Sequence, residues 1–543
     1  MIHGGNQGGA ADEPVAAADR PARVVAHAFL AIAGVIYALT TLGYFQTPLL
    51  DGHEFRQCQT AITARYLADD LDPRRMLTYE TPIMGTPWRV PFEFPLYQWL
   101  LAAVRLGSGL PIDQAGRLLT AAFHVACFWP MWRIVRLMGG TVTTWAILAG
   151  LFLISPVYHH WSRTVLIEST AVFLALQFLA NYLEWMRSRR VGPLLLACVW
   201  AALAVLVKVT TFPAFAVAGV GLVARDAWLA WQGGESRRGI GLRLVAAALP
   251  FCLALAVLVP WLAACDAIKL QNPLAARTTS QALRGWNYGS LTLRVSGRLW
   301  RDTVLLRALP EAVGWPGMAC IGFGLWWLGG PKRAVVAGLV ALHFVPLLMF
   351  TNLHVMHNYY QCSSAIFLVA ALAVVLAEGL THLPRAGAVA VLGLVVLGCL
   401  MSSGGYLRSE RLDWRQDPRY ATALLIGSTV PDDEIIVVMG CDWSCEIAFY
   451  ADRRAIYLPH WCSYDVVTRF LADPTFLSGG KTIGAFVIVN PGQYESWDNR
   501  SNEPLMAFAN DLSGGRPPLQ LGNCATFVRK GIPSRTPQQG ANP

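Results

Sequence analysis

Long apolar runs recur along the chain at 24–45, 116–137, 142–159, 165–186, 193–211, 212–231, 244–264, 308–329, 334–351, 361–382 and 386–404. A helix needs about 20 apolar residues to cross a bilayer, so the pattern predicts about eleven membrane-spanning helices. The apolar stretch Pro95–Leu110 is shorter and is interrupted by Arg105. It predicts an amphipathic helix lying in the interface. Past residue 405 the pattern changes. The segments "DEIIVVMG", "AIYLP" and "GAFVIVN" are short apolar runs bounded by turn residues, the pattern of buried strands. "SCEIAFYADR" reads as a short helix between the first two. Alternating strand and helix predicts a small α/β domain over 406–543.

Composition agrees with the pattern. Of 543 residues, 55% are hydrophobic and 14% charged, against about 25% charged in a soluble domain. The fold class is therefore a polytopic α-helical membrane protein with an added α/β domain. Residues 1–23, rich in Gly, Ala and acid, read as a disordered cytoplasmic tail. The first apolar run is long enough to stay as an anchor rather than a cleaved signal. Basic residues mark alternate loops: Arg133 and Arg136, Arg187 to Arg190, Arg237 and Arg238, Lys332 and Arg333, and Arg385. By the positive-inside rule these loops and the N-terminus are cytoplasmic. The loop 46–115, the turn near His159, the loop 265–307, the turn 352–360 and the C-terminal domain are then outside. The net charge of +9 fits an anionic membrane surface; no nucleic-acid motif is present. Heavy use of Ala, Gly and Arg suggests a bacterial source, hence the cytoplasmic membrane.

The densest polar cluster is "LLDGHEFRQCQTAITARYL", which follows the first apolar run. Asp51 and Glu54 have the spacing of a capping box. A cap leaves His53, Arg56, Gln57 and Gln59 unexplained. Other polar groups fall on the same predicted face. "SRTVLIEST" places Arg163 and Glu168 at the outer end of a span, and a carboxylate inside an apolar run is a functional candidate. An Arg163–Glu168 ion pair tying helices together is the structural alternative. Lys208 ends another span, where a snorkelling lysine is the alternative. "TNLHVMHNYYQC" brings His354, His357, Asn358, Tyr359, Tyr360 and Gln361 to a third turn. Carboxylates suit a general base on a hydroxyl; Arg, Lys and His suit a departing phosphate. No nucleotide-binding loop is present, and "DLD" at Asp70–Asp72 is disfavoured as a metal–nucleotide-sugar motif because it falls on the outer side. The sequence assigns no metal ligands and leaves a divalent-cation requirement open. Cys441, Cys445, Cys462 and Cys524, in the outer domain, are candidates for two disulfides.

These segments resemble the GT-C superfamily of membrane glycosyltransferases. The likeness is to the family 39-like group that includes protein O-mannosyltransferases and the lipid A aminoarabinose transferase. It covers residues 24–382. "DGHEFRQCQTAITARYL" looks like the acidic first-loop helix, "EFPLYQWLLA" the start of the second interfacial helix, and "SRTVLIEST" the Arg-x4-Asp segment. "LAVLVKVTTFPA" looks like the segment with the phosphate lysine, and "HNYYQ" like the His-x-Tyr-Tyr turn. The resemblance implies an inverting transfer from a polyprenyl-phosphate sugar to a hydroxyl of an unspecified glycan, lipid or protein. It implies Asp51 or Glu54 as base, Glu168 as a second acid and Lys208 on the donor phosphate. His53, Arg56, Gln57, Arg163, His357, Tyr359 and Tyr360 surround the substrate. Glu93 stands where the aminoarabinose enzymes have Lys, which speaks against their substrate. Lys269, Arg277, Arg284, Arg294, Arg298 and Arg301 in the loop 265–307 would close over the site or touch anionic head groups. A lipid or saccharide transporter would need repeats and polar residues at mid-bilayer; an envelope assembly protein would use the α/β domain for docking.

Overall fold

The structure, a computed structural model, describes residues 12–69, 77, 79–406, 414–491 and 499–533; the Asp70–Asp72 motif lies outside them. The first helix, Asp12–Gly43, starts ahead of the expected residue 24, because the Ala-rich run before it has high helix propensity. Residues 1–11 of the expected tail are outside the described residues. Among the described residues, seven helices are long and apolar enough to span: Pro21–Gly43, Ile112–Leu137, Phe212–Gln232, Arg237–Lys269, Gly330–Met349, Ala365–His382 and Arg385–Tyr406. The other four expected spans contain the shorter Val142–Ile154 and Val191–Val207 and the more polar Glu168–Ser188 and Leu309–Trp327.

Glu168–Ser188 tolerates its polar residues because it runs through the middle of the bundle, where partners exist. Asn181 accepts from Arg133 at 3.1 Å and donates to the Gln177 carbonyl at 2.7 Å. Arg133 also pairs with Glu184 at 2.7 Å. Leu309–Trp327 is broken at Gly314, whose φ is 68°. A Cβ there would lie 2.8 Å from the Gly398 carbonyl carbon, so only glycine allows the two backbones to touch. Leu96–Ser108 has 13 residues and ends in a left-handed Gly109. At about 1.5 Å per residue it is too short to span.

The C-terminal domain is a five-stranded sheet of order β2-β1-β3-β5-β4. Its strands are β1 Ile435–Met439, β2 Ala455–Leu458, β3 Ile483–Val489, β4 Leu519–Leu521 and β5 Cys524–Val528. β1 runs parallel to β2 and β3, while β5 is antiparallel to β3 and β4. Every residue of β1, β2 and β3 is buried, as expected of parallel strands covered on both faces. The edge of β2 is not left open. Ala455 N donates to the Pro82 carbonyl at 2.9 Å and Tyr457 N to the Ile83 carbonyl at 3.0 Å. The first loop is thus an extra edge segment, which satisfies the exposed edge and joins the loop to the domain. Arg65 adds bonds to the Phe449 carbonyl at 2.6 Å and to Asp452 at 2.8 Å.

All twelve cysteines are unpaired thiols, which corrects the expectation of disulfides among Cys441, Cys445, Cys462 and Cys524. Each of these sulfurs has a nearby oxygen: Cys445 faces the Phe55 carbonyl at 3.5 Å, Cys441 that of Ser444, Cys462 that of Ser463 and Cys524 the Asn523 side chain.

Gly440 closes β1 with φ 90°, and a Cβ there would sit 2.0 Å from the Val489 carbonyl oxygen. Gly440→Ala should destabilise the domain by about 2 kcal/mol or more. Thermal unfolding followed by tryptophan fluorescence should show a midpoint several degrees lower; an unchanged midpoint would mean the turn can re-form elsewhere.

Candidate functional site

The helix Glu54–Asp69 is preceded by two residues of positive φ, Gly52 at 110° and His53 at 47°. This turn reverses the chain and carries His53 away from the helix axis. The capping box that the spacing of Asp51 and Glu54 allowed does not hold it. The His53 carbonyl takes the first helical bonds, from Arg56 N at 2.9 Å and Gln57 N at 3.2 Å, while Asp51 and Glu54 turn to other partners.

Asp51 is buried and faces Arg117 at 3.0 Å. Arg117, wholly enclosed, also donates to the carbonyls of Arg163 at 2.9 Å, Thr47 at 3.2 Å and Pro48 at 3.1 Å. Gln57 donates to Asp51 and to the Gly52 carbonyl, each at 2.8 Å, and accepts from Val165 N at 3.0 Å. Burial opposes ionisation of Asp51, but Arg117 and the nearby His160 outweigh it and hold the carboxyl below its ordinary value. Sequence reasoning missed Arg117 because it sits in the first turn of an apolar run; its charge there was the available signal.

A second cluster lies beside His53. Lys208 makes a close ion pair with Glu168, and its ammonium lies 5.0 Å over the ring of Tyr359 and 4.6 Å over that of Tyr360. The Glu168 Oε2 atom is buried with no hydrogen-bond partner among the described residues. Arg56 pairs with buried Glu93 at 3.1 Å and contacts Gln59. Glu93 also accepts from Gln98 at 2.8 Å. Burial works against the Arg56 charge, and Glu93 with the two tyrosines more than offsets it, so the guanidinium stays protonated. The His53 ring lies 5.2 Å from His357 and 4.9 Å from Tyr359. Burial, with the cationic and imidazole neighbours His53 and Arg56, pulls His357 down to about 3, so it is neutral at physiological pH.

The structure thus brings together His53, Arg56, Glu168, Lys208, His357, Tyr359 and Tyr360. Asp51, Gln57 and Arg163 belong to the frame behind them. Arg163 does not pair with Glu168; it donates to the His159 carbonyl at 2.7 Å and lies 4.8 Å over Tyr44. Glu54 points to the C-terminal domain, pairing at 3.3 Å with Arg419, which also holds buried Glu446 at 2.7 Å. From the same domain Trp443 stacks on Phe92 at 5.1 Å and meets Phe55 edge-on at 5.3 Å. Lys269 is buried 5.5 Å over Phe92 and donates to the Thr278 carbonyl at 2.9 Å. Arg294 ties its loop to the Leu348 and Tyr288 carbonyls, each at 2.9 Å. Arg277, Arg284, Arg298 and Arg301 are exposed. Among the described residues no three His, Cys, Asp or Glu side chains group as a metal site.

Removing one member of the buried Arg117–Asp51 pair strands the other. Arg117→Met should cost about 3–5 kcal/mol, and Arg117→Met with Asp51→Asn should recover most of it in thermal unfolding. A double variant no better than the single would show the pair is not the cause. A carboxyl held below its unfolded value of 3.8 stabilises fully above that pH and loses its contribution as pH falls through the folded value. Asp51→Asn should therefore flatten the acid-unfolding curve below about pH 4.

No protein-family profile matches the sequence, and no curated protein matches it. Solved structures do. ArnT from Cupriavidus metallidurans bound to undecaprenyl phosphate aligns with a TM-score of 0.59 and 14% identity, over 93% of this chain and 99% of that one. ArnT from the same organism in the apo state aligns with a TM-score of 0.55 and 14% identity, over 91% and 97%. At this identity the likeness speaks for the architecture, and with the spans and the C-terminal sheet already described it is decisive there: the chain is a polytopic membrane protein that shares the GT-C fold of the ArnT structures.

Proposed function

We propose that this protein is an inverting glycosyltransferase. It moves a sugar from a polyprenyl-phosphate carrier to a hydroxyl acceptor at the outer face of the bacterial cytoplasmic membrane. Alternating basic loops support the orientation, with the N-terminus inside. The observation that carries the reading is Lys208. Its ammonium sits between the Glu168 carboxylate and the faces of Tyr359 and Tyr360, at the loop end of a membrane bundle. A buried cation poised at that level suits a lipid phosphate, and the bound undecaprenyl phosphate in ArnT supports the donor class.

In this reading the acceptor oxygen forms a bond to the anomeric carbon as the carbon–oxygen bond to phosphate breaks. The departing lipid phosphate takes the electron pair. Lys208 and Arg56 stabilise the growing charge. Glu168 and Glu93 hold those cations in place before the donor arrives, which keeps the buried charges paired. Asp51 and Glu54, each held by an arginine, fix the loop helix against the bundle and the C-terminal domain. Trp443, Phe55 and Phe92 form an apolar wall that suits the face of a sugar ring. The acceptor class is a hydroxyl on a glycan, lipid or protein.

Lys208→Ala should weaken undecaprenyl phosphate binding at least tenfold, the loss of one charge-assisted contact of about 1.5–3 kcal/mol. Native mass spectrometry of the detergent-purified protein, titrated with that lipid, measures this. Equal occupancy in wild type and variant would sink the donor-phosphate assignment.

A further inference from the structure

We propose that His53 is the general base of the transfer, held in the Nε2–H tautomer by the positioning residues Asn358 and Tyr406; the proposal rests on the transferase reading above.

The first support is elimination on geometry. The carboxylates nearest the turn each answer to a cation: Asp51 to Arg117, Glu54 to Arg419 and Glu168 to Lys208. A carboxylate in such a pair is a weak proton acceptor. His53 has no such partner. Its Nε2 lies 3.0 Å from Asn358 Oδ1. Its Nδ1 has no hydrogen-bond partner among the described residues and is not one of the sealed, unsatisfied atoms.

The second support is the direction of a hydrogen-bond chain. Asn358 Nδ2 donates to the Tyr406 hydroxyl at 3.3 Å. Tyr406 in turn is hydrogen-bonded to the buried Glu311 side chain. The amide nitrogen of Asn358 faces Tyr406, which accepts from it. That leaves the amide oxygen of Asn358 for His53, so Nε2 carries the hydrogen and Nδ1 carries the lone pair. The ring of Tyr406 is stacked on His160 at 4.5 Å, which keeps the relay in place.

The setting favours a neutral imidazole. Burial lowers the proton affinity of His53, His160 lowers it further, and Asn358, Glu54 and Glu168 raise it by less. The rings of Phe55, Trp161, His357 and Tyr359 enclose it. The step balances: the acceptor hydroxyl proton passes to Nδ1, its oxygen bonds to the anomeric carbon, and the lipid phosphate leaves with the electron pair. The imidazolium then releases its proton to solvent.

The test uses the full chain in lipid nanodiscs, a set of synthetic polyprenyl-phosphate hexoses and pentoses as donors, and water and glycerol as acceptors. Release of polyprenyl phosphate is the readout. His53→Gly suits the positive φ of that residue and so removes the imidazole without backbone strain. Its rate should fall at least a hundredfold and be partly restored by added imidazole. In wild type the rate should fall on acidification below the ordinary histidine value, and this limb should be absent in His53→Gly. Tyr406→Phe keeps the stacked ring and removes the relay. It should slow release about tenfold and shift the acid limb. In protein labelled with 15N-histidine, the His53 ring, assigned by its absence in His53→Gly, should report Nε2–H in wild type and a mixture in Tyr406→Phe. Release within a few-fold of wild type in His53→Gly, or loss that imidazole does not restore, overturns the base assignment. An Nδ1–H ring in wild type overturns the relay. A wild type that cleaves none of the donors overturns the transferase reading itself, and the base role with it.

Discussion

The Arg117 guanidinium is the constraint on which the site depends. It is enclosed by protein and reaches one carboxylate and three backbone carbonyls, drawn from the end of the first span and the turn before Glu168. A buried charge without partners is costly; here all its neighbours are fixed by the need to satisfy it. Asp51 and Arg163 therefore have one position relative to the helix Ile112–Ala126. Gln57 extends the same frame by bonding both the Gly52 turn and Val165 N. His53, two residues from Asp51, takes its place from this lattice together with its own bond to Asn358.

The cations facing the site follow a different logic. Lys208 and Arg56 are each held by one carboxylate and by aromatic faces. Such an arrangement keeps charges paired in a low-dielectric setting and leaves acceptor or donor capacity unused, as the Glu168 Oε2 atom shows. In the proposed transfer, an arriving phosphate would exchange one anion for another instead of neutralising a bare cation. Preorganisation of this sort lets the same groups act on charge that develops later in the reaction.

The α/β domain is part of the site, not an appendage. Its edge strand pairs with residues 82–84, its Arg419 holds Glu54, and its Trp443 rests on Phe92 and Phe55. The loop helix Glu54–Asp69 accordingly has no solvent face to speak of: Gln57, Gln59, Thr60 and Thr63 are all buried. The polar density that marks this stretch in the sequence reflects a helix packed on one side by the membrane bundle and on the other by the domain.

The sequence by itself determined the long apolar helices, the short helix Leu96–Ser108, the α/β character of the tail and the polar turns of the candidate site. These are properties of runs: the length and period of apolar stretches decide them within a few residues of chain, as Ala365–His382 and β3 show. The residues that meet in the candidate site, His53, Arg56, Glu168, Lys208, His357, Tyr359 and Tyr360, stand out for the same reason, being polar where their surroundings are not. Only the tertiary structure decided which charge answers which. Asp51 meets Arg117 and Glu54 meets Arg419 across long stretches of chain; the alternative Arg163–Glu168 pair and capping box do not form, and the cysteines stay unpaired. Pairing energy depends on distance and burial, which no local pattern encodes, so the arginine partner of a carboxylate that looks like a base in the sequence shows only in the folded chain.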